Sequence, residues 1–159
     1  METVFAHFAN YANVNGALIE LEDTGFTRND ISLVAQEGVL KNDEASHTAS
    51  DAGTGAGIGG VVGLIAGLSA IAIPGIGPVL GAGSAIGGLL SGAGAGSLVG
   101  GVVGFFRDLF GTDDYATKYE KALENGHILL AVQAGPATSA AISDILATNG
   151  GEDVEVVVK

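Results

Sequence analysis

Three histidines, His7, His47 and His127, are the side chains of this chain best suited to acid–base work or metal ligation near neutral pH. None sits at a short ligand spacing such as HxxxH, and a metal site needs several converging ligands. Taken singly, each reads as a strand-surface or linker residue. His7 and His127 differ from His47 in falling within segments of strand character. If those strands are neighbours, the two rings approach each other, which makes a pH-sensitive contact before it makes a catalyst. The acidic groups Glu20, Glu22 and Asp23, Asp43 and Glu44, and Asp113 and Asp114 lack the alternating oxygen ligands and glycine of a calcium loop. They read as solvated faces, with Asp113 or Asp114 capping a helix N-terminus. No serine lies in a GxSxG elbow, and Ser69, Ser84, Ser91 and Ser97 fall in glycine-rich sequence as small packing residues. The absence of cysteine excludes disulfide, zinc-thiolate and thiol chemistry. No catalytic residue, metal site or cofactor is expected.

A GxGxxG match occurs at Gly55, Gly57 and Gly60. Phosphate-cradling loops of that form follow a strand, open a helix and work with a downstream Lys or ribose-binding acid. Here the match follows a polar acidic stretch, no acid stands about 20 residues on, and the next Lys is Lys118. The match is a by-product of glycine density. The spacing of four carries more information: Gly55, Gly59, Gly63 and Gly67 form one run, and Gly88, Gly92, Gly96, Gly100 and Gly104 another. Residues four apart share a helix face. Nine helical glycines forgo about 7 to 9 kcal/mol of propensity relative to alanine, a loss that close backbone packing and CH-to-carbonyl bonds must offset.

Eighteen acidic residues against six basic ones give a formal charge of −12, which disfavours nucleic acid and anionic headgroups as partners. The charges are segregated: none lies between Asp51 and Arg107, and 19 of the 27 glycines fall within 53–104. On either side of that interval the chain repeats a pattern. Residues 3–8 read as a strand, 11–23 as a helix stopped at Gly25, and 30–35 as a strand. Residues 127–133 read as a strand, 137–148 as a helix stopped at Gly150 and Gly151, and 154–158 as a strand. Two strand–helix–strand units in series predict an α+β, ferredoxin-like split βαβ-βαβ domain: a four-stranded antiparallel sheet with both helices on one face. The predicted organisation is a first half at 1–40, an acidic linker at 41–52, a glycine-rich helical hairpin at 53–106, a connecting amphipathic helix within 107–126, and a second half at 127–159.

The hairpin arms are predicted over 54–73 and 79–106, with the turn at Pro74, Gly75, Gly77 and Pro78. A 20-residue arm is about 30 Å long, the hydrocarbon thickness of a bilayer. A stripe of period four drifts about 40° per step on a 3.6-residue helix, so the five-glycine stripe turns about 160°. That favours a steep crossing or two different neighbours, and hence a homo-oligomer. Three settings fit the pattern. In one, the arms insert in or against a membrane; in another, hairpins from several copies bury one another in a soluble shell, tube or ring, with acidic heads outside; in the last, the hairpin folds back on its own sheet. The second arm is a weak span alone, because its window 81–100 holds few strongly apolar residues and no Trp flanks it. The start of the chain lacks a secretory n-region and h-region, which suggests the cytoplasm, with inner-membrane association under the first setting. A third reading is a small-ligand sensor using the sheet face.

The segments TVFAHFAN (3–10), ALIELEDTGF (17–26), DISLV (30–34) and YEKALENG (119–126) resemble the bacterial general stress protein 17M-like family, or heat-induced stress proteins. The resemblance implies a split ferredoxin-like domain around a glycine-rich insert and a stress-associated, non-enzymatic role. It supplies no catalytic residues.

Overall fold

A computed structural model describes residues 2–27, 29–40, 69–73, 77–82, 107, 111 and 113–158. The chain opens with β1 (Glu2–Phe8) and α1 (Tyr11–Asp23). The Asn10 side chain caps α1, accepting from the Asn13 amide at 2.9 Å and satisfying one of its orphan donors. β2 (Ile31–Gln36) follows, then one helical turn at 37–40 that ends on buried Leu40. β3 (Ser69–Ile73) and β4 (Gly77–Ala82) come next, then α2 (Asp113–Glu124), β5 (Ile128–Ala134), α3 (Ser139–Thr148) and β6 (Glu152–Val158). Six strands form one antiparallel sheet in the order β3-β4-β2-β5-β1-β6. The protein is therefore α+β.

The sheet is covered on both faces because its strands alternate apolar residues on both sides. Val4, Ala6 and Phe8 of β1 point one way, with Ile31 and Leu33 of β2 and Ile128, Leu130 and Val132 of β5. Against them pack Tyr11, Val14, Ala17, Leu18 and Leu21 of α1 and Ile142, Ile145 and Leu146 of α3. The spacing of those helix residues is the three-to-four repeat of one apolar stripe. The intervening residues Phe5, Val34, Leu129 and Ala131 are also buried. On that second face α2 packs along β5 and β2 with Ala116, Tyr119, Ala122 and Leu123 inward. Gln36 ties α2 to β2 by donating from Nε2 to the Leu123 carbonyl at 2.8 Å.

Each helix stops in the same way. Phe26, His127 and Gly151 donate back to the carbonyls of Leu21, Ala122 and Leu146, and Gly25, Gly126 and Gly150 before them take positive φ. This is the Schellman arrangement, in which a left-handed residue lets two amides satisfy orphan carbonyls.

Two sequence expectations are corrected. The sheet has six strands rather than four, and the ends expected of both helical arms are extended: β3 occupies 69–73 and β4 occupies 77–82. The physical reason is the edge of β2, whose amides and carbonyls would otherwise lack a ladder. β4 supplies it, with Leu33, Val34, Ala35 and Gln36 opposite Ala82, Gly81, Leu80 and Val79. Alternating apolar residues with β-branched Ile71, Ile73 and Val79 suit a pleated surface, while their glycine neighbours disfavour helix. The chain reverses between Ile73 and Gly77, so the turn is that of a β-hairpin. Gly77, at φ 98°, and Pro78 open β4, and Pro78 stands before the first residue paired with β2, where its missing amide removes nothing from that ladder. Pro74 and Gly75, the linker 41–52, and the stripe glycines Gly55, Gly59, Gly63, Gly67, Gly88, Gly92, Gly96, Gly100 and Gly104 lie outside the described residues.

The docked hairpin bears on membrane insertion. A bilayer-spanning hairpin requires residues 74–78 to lie across the membrane from the domain, yet Val79 is opposite Gln36 in the sheet. Only the 28 residues 41–68 separate Leu40 from Ser69, short of the roughly 40 that an outward and a return span need. Among the described residues no helix is long and apolar enough to cross a membrane.

Gly151→Ala places its Cβ 2.6 Å from the Leu146 carbonyl oxygen, inside the turn that joins α3 to β6. A loss of about 1–3 kcal/mol in urea unfolding is expected, whereas Gly38→Ala, with open space around it, stays within about 0.5 kcal/mol of the parent. Asp30 gives a pH test. Its Oδ2 accepts from the Thr27 hydroxyl and amide, at 2.7 and 2.9 Å, which holds the carboxyl below its ordinary value of 3.8. A lowered folded pKa stabilises above the unfolded value and stops doing so as pH falls through the folded one. The stability gap between the parent and Asp30→Ala, about 0.5 kcal/mol at pH 7, should therefore shrink below pH 3.8.

Candidate functional site

The second face carries a polar cluster among its apolar residues. His7 projects from the middle of the sheet with Phe5 and is only 5 % exposed. Its Nδ1 lies 3.0 Å from Nδ1 of His127, and its Nε2 lies 3.1 Å from Asp153 Oδ2. Lys118 donates to the other oxygen of Asp153 at 3.2 Å, and the Tyr119 hydroxyl donates to the Asp153 carbonyl at 2.6 Å. The Tyr119 ring stands edge-on to His7, with centroids 5.8 Å apart, and roofs the imidazole.

The proton positions follow from these partners. An ionised carboxylate only accepts, so the His7 proton sits on Nε2. In the neutral ring Nδ1 is then an acceptor, and His127 must be the donor through its own Nδ1–H. The result is a directed chain in which His127 donates to His7, and His7 and Lys118 donate to Asp153. It leaves His127 Nε2 as a lone pair on a half-buried ring.

Local structure explains each placement. β1 runs between β5 and β6, so His7 has a strand on either side. The left-handed Gly126, at φ 82°, turns the end of α2 directly into β5, and His127 stands diagonally across from His7 because Phe8 is opposite Ile128. Asp153 arrives through a bulge. Phe5 is opposite Glu155 but His7 is opposite Glu152, so β6 carries one extra residue there. Asp153 takes φ 49° at that point. A left-handed L-residue costs about 1–2 kcal/mol, least for Asp and Asn, and such outliers persist where their surroundings over-determine them. Here His7, Lys118 and Tyr119 hold the residue. Bulges commonly re-aim a side chain in this way.

The electrostatics agree with this geometry. The His7 bond, then the Lys118 bond and the Lys118 charge, hold the Asp153 carboxyl below the usual range against the effect of burial. The bond to Asp153 and its charge raise Lys118. Burial, reinforced by Glu155 and Asp153, pushes the Tyr119 phenol far above its ordinary value, so it acts as a fixed donor. Beside the cluster a shallow open depression is lined by Asp114, Tyr115, Thr117, Lys118, Lys121 and Glu155.

The structure brings together His7 and His127, as neighbouring strands were expected to do, while His47, Asp43 and Glu44 lie outside the described residues. Asp113 and Asp114 occupy the first turn of α2, where they favour the helix dipole. Asp113 also meets Arg107 at 3.3 Å in an exposed pair of little energetic weight. Glu20 accepts from Asn149 Nδ2 at 2.7 Å and joins α1 to the end of α3. Tyr119 was legible only as an apolar contact of the connecting helix, and Lys118, Glu152 and Asp153 carried no sequence signal, since their partners lie far along the chain and the aim of Asp153 depends on a one-residue bulge.

Tyr119→Phe keeps the ring against His7 and removes the hydroxyl that donates to the Asp153 carbonyl. Urea unfolding should show a loss of about 1–2 kcal/mol, and the His7 and His127 ring resonances should shift in NMR spectra. Unmoved resonances would show that Tyr119 does not help to hold the cluster.

No family model, curated protein or solved structure matches the chain.

Proposed function

We propose that the protein acts without catalysis, as a self-associating protein whose glycine-stripe segments join copies into a lipid-free higher-order homo-oligomer. The observation that carries this reading is the pairing of Ser69 with Gly81. It sets side by side the two strand positions, Ser69 and Gly81, next to which the two glycine-rich segments join the β3–β4 hairpin in sequence. Neighbouring strands lie about 4.7–4.9 Å apart, within the close approach that glycine stripes permit.

Four further features support the reading. The pairing of β4 with β2 disfavours a transmembrane hairpin and favours the lipid-free assembly. The order β2-β5-β1-β6, with α1 and α3 on one face, is what a ferredoxin-like split domain requires, and we keep that assignment as part of the proposal. The edge strand β6 leaves Val156 and Val158 43 % and 71 % exposed, a second contact through which heads pair along sheet edges. The charge of −12 on the heads keeps assemblies apart in solution. A bacterial stress-associated role, implied by the family resemblance, belongs to the same proposal.

Light scattering coupled to gel filtration on the full chain, prepared without detergent, tests it. A discrete particle of several copies is expected for the parent, and monomer or dimer for the combined variant Gly59→Leu, Gly63→Leu, Gly92→Leu, Gly96→Leu. A monomeric parent, or a variant particle of unchanged mass, would reject the reading, as would recovery of the parent only in lipid after a carbonate wash.

A further inference from the structure

We infer that His7, His127 and Glu152 form a binding site for a divalent first-row transition ion, which two imidazole nitrogens and one carboxylate hold with the remaining positions open. The three residues each offer one ligand atom, and those atoms lie within 4.8 Å of one another. They come from three strands side by side: β1, the entry to β5, and the start of β6 opposite His7. Imidazole with carboxylate is the donor set of zinc and non-haem iron centres, whereas calcium and magnesium take oxygen ligands.

The geometry suits a metal in specific ways. The Nδ1 atoms are 3.0 Å apart. With metal–nitrogen bonds of about 2.0–2.1 Å they subtend about 94° at a shared ion, between octahedral and tetrahedral values, so small ring rotations accommodate either. Loading also requires both Nδ1 lone pairs. That of His7 already points at the site, because its proton is committed to Asp153 on Nε2. The Nδ1 proton of His127 moves to its own Nε2, which is vacant in the hydrogen-bonded chain.

Asp153 is the outer partner that such a site needs. Metal-binding histidines almost always donate their other ring N–H to a carboxylate or carbonyl, which fixes tautomer and ring orientation. Asp153 takes that bond from His7 and is itself anchored by Lys118 and Tyr119. The bulge thus serves the site twice, turning Asp153 behind His7 and setting Glu152 across from it. His7 is buried, His127 half-buried and Glu152 exposed, so an ion enters from the Glu152 side and keeps solvent or a small ligand in its open positions.

The test is titration of the full chain with Zn²⁺ and with Co²⁺, followed by calorimetry and by visible absorption of bound Co²⁺. One saturable equivalent is expected, with Zn²⁺ displacing Co²⁺ and with the His7 and His127 ring resonances shifting together. His127→Gln and Glu152→Gln alter exposed or half-exposed side chains and should fold, as circular dichroism will verify. Each should weaken the tight equivalent at least tenfold. Asp153→Gly, which the left-handed backbone accepts, should weaken it by about 10–100-fold while leaving the direct ligands in place. His47→Gln should change nothing. The inference is overturned by the absence of a saturable equivalent, by unchanged affinity in folded His127→Gln and Glu152→Gln, or by loss of binding in His47→Gln.

Discussion

An imidazole buried in a sheet must satisfy both ring nitrogens without the help of bulk water, and much of the second face of this protein follows from that demand on His7. One nitrogen needs an acceptor and the other a donor or an ion. The acceptor is Asp153, which reaches His7 only because β6 carries an extra residue and a left-handed turn. The donor is His127, delivered by the glycine stop of α2. Asp153 is itself held in place by consecutive residues of one helix, Lys118 at its carboxylate and Tyr119 at its backbone carbonyl. Satisfaction of one ring therefore couples β1, β5, β6 and α2. It also leaves ring nitrogens and Glu152 in an arrangement able to receive a cation.

The same demand helps to explain why the sheet has two covered faces. With α1 and α3 alone, Phe5, Val34 and Leu129 would be left in water. α2 covers them with a narrow stripe, Ala116, Tyr119, Ala122 and Leu123, while its opposite side carries charge. The uncharged insert contributes to the same architecture. Its β3 and β4 extend the sheet past β2, burying Val79, and Leu80 packs against the larger core. The glycine-rich region is thus tied to the domain at its centre as well as at its ends. That attachment, rather than composition alone, is what the proposed lipid-free assembly draws on.

The two strand–helix–strand halves were legible because local signals specify them. Alternating apolar residues mark β1, β2 and β5, a three-to-four repeat marks α1, and a glycine follows each helix; α1 falls on the residues expected of it, 11–23. Strand neighbourhood also suggested that His7 and His127 meet. The insert was misread at 69–73 and 77–82 because a short apolar run bounded by glycine has no periodicity that separates strand from helix. The deciding factor, the open edge of β2, lies more than 30 residues away in the chain.

What this sequence determined by itself is the set of local elements and their apolar faces, since propensity, caps and periodicity act over a few residues. It also determined the segregation of charge away from the glycine-rich centre. Only the tertiary structure decided that the centre adds strands to the sheet, that α2 roofs the second face, and that Asp153 stands behind His7. These outcomes depend on register and on a single bulged residue. A slip of one residue in a strand exchanges its faces, and no local preference in the chain encodes which alignment is taken.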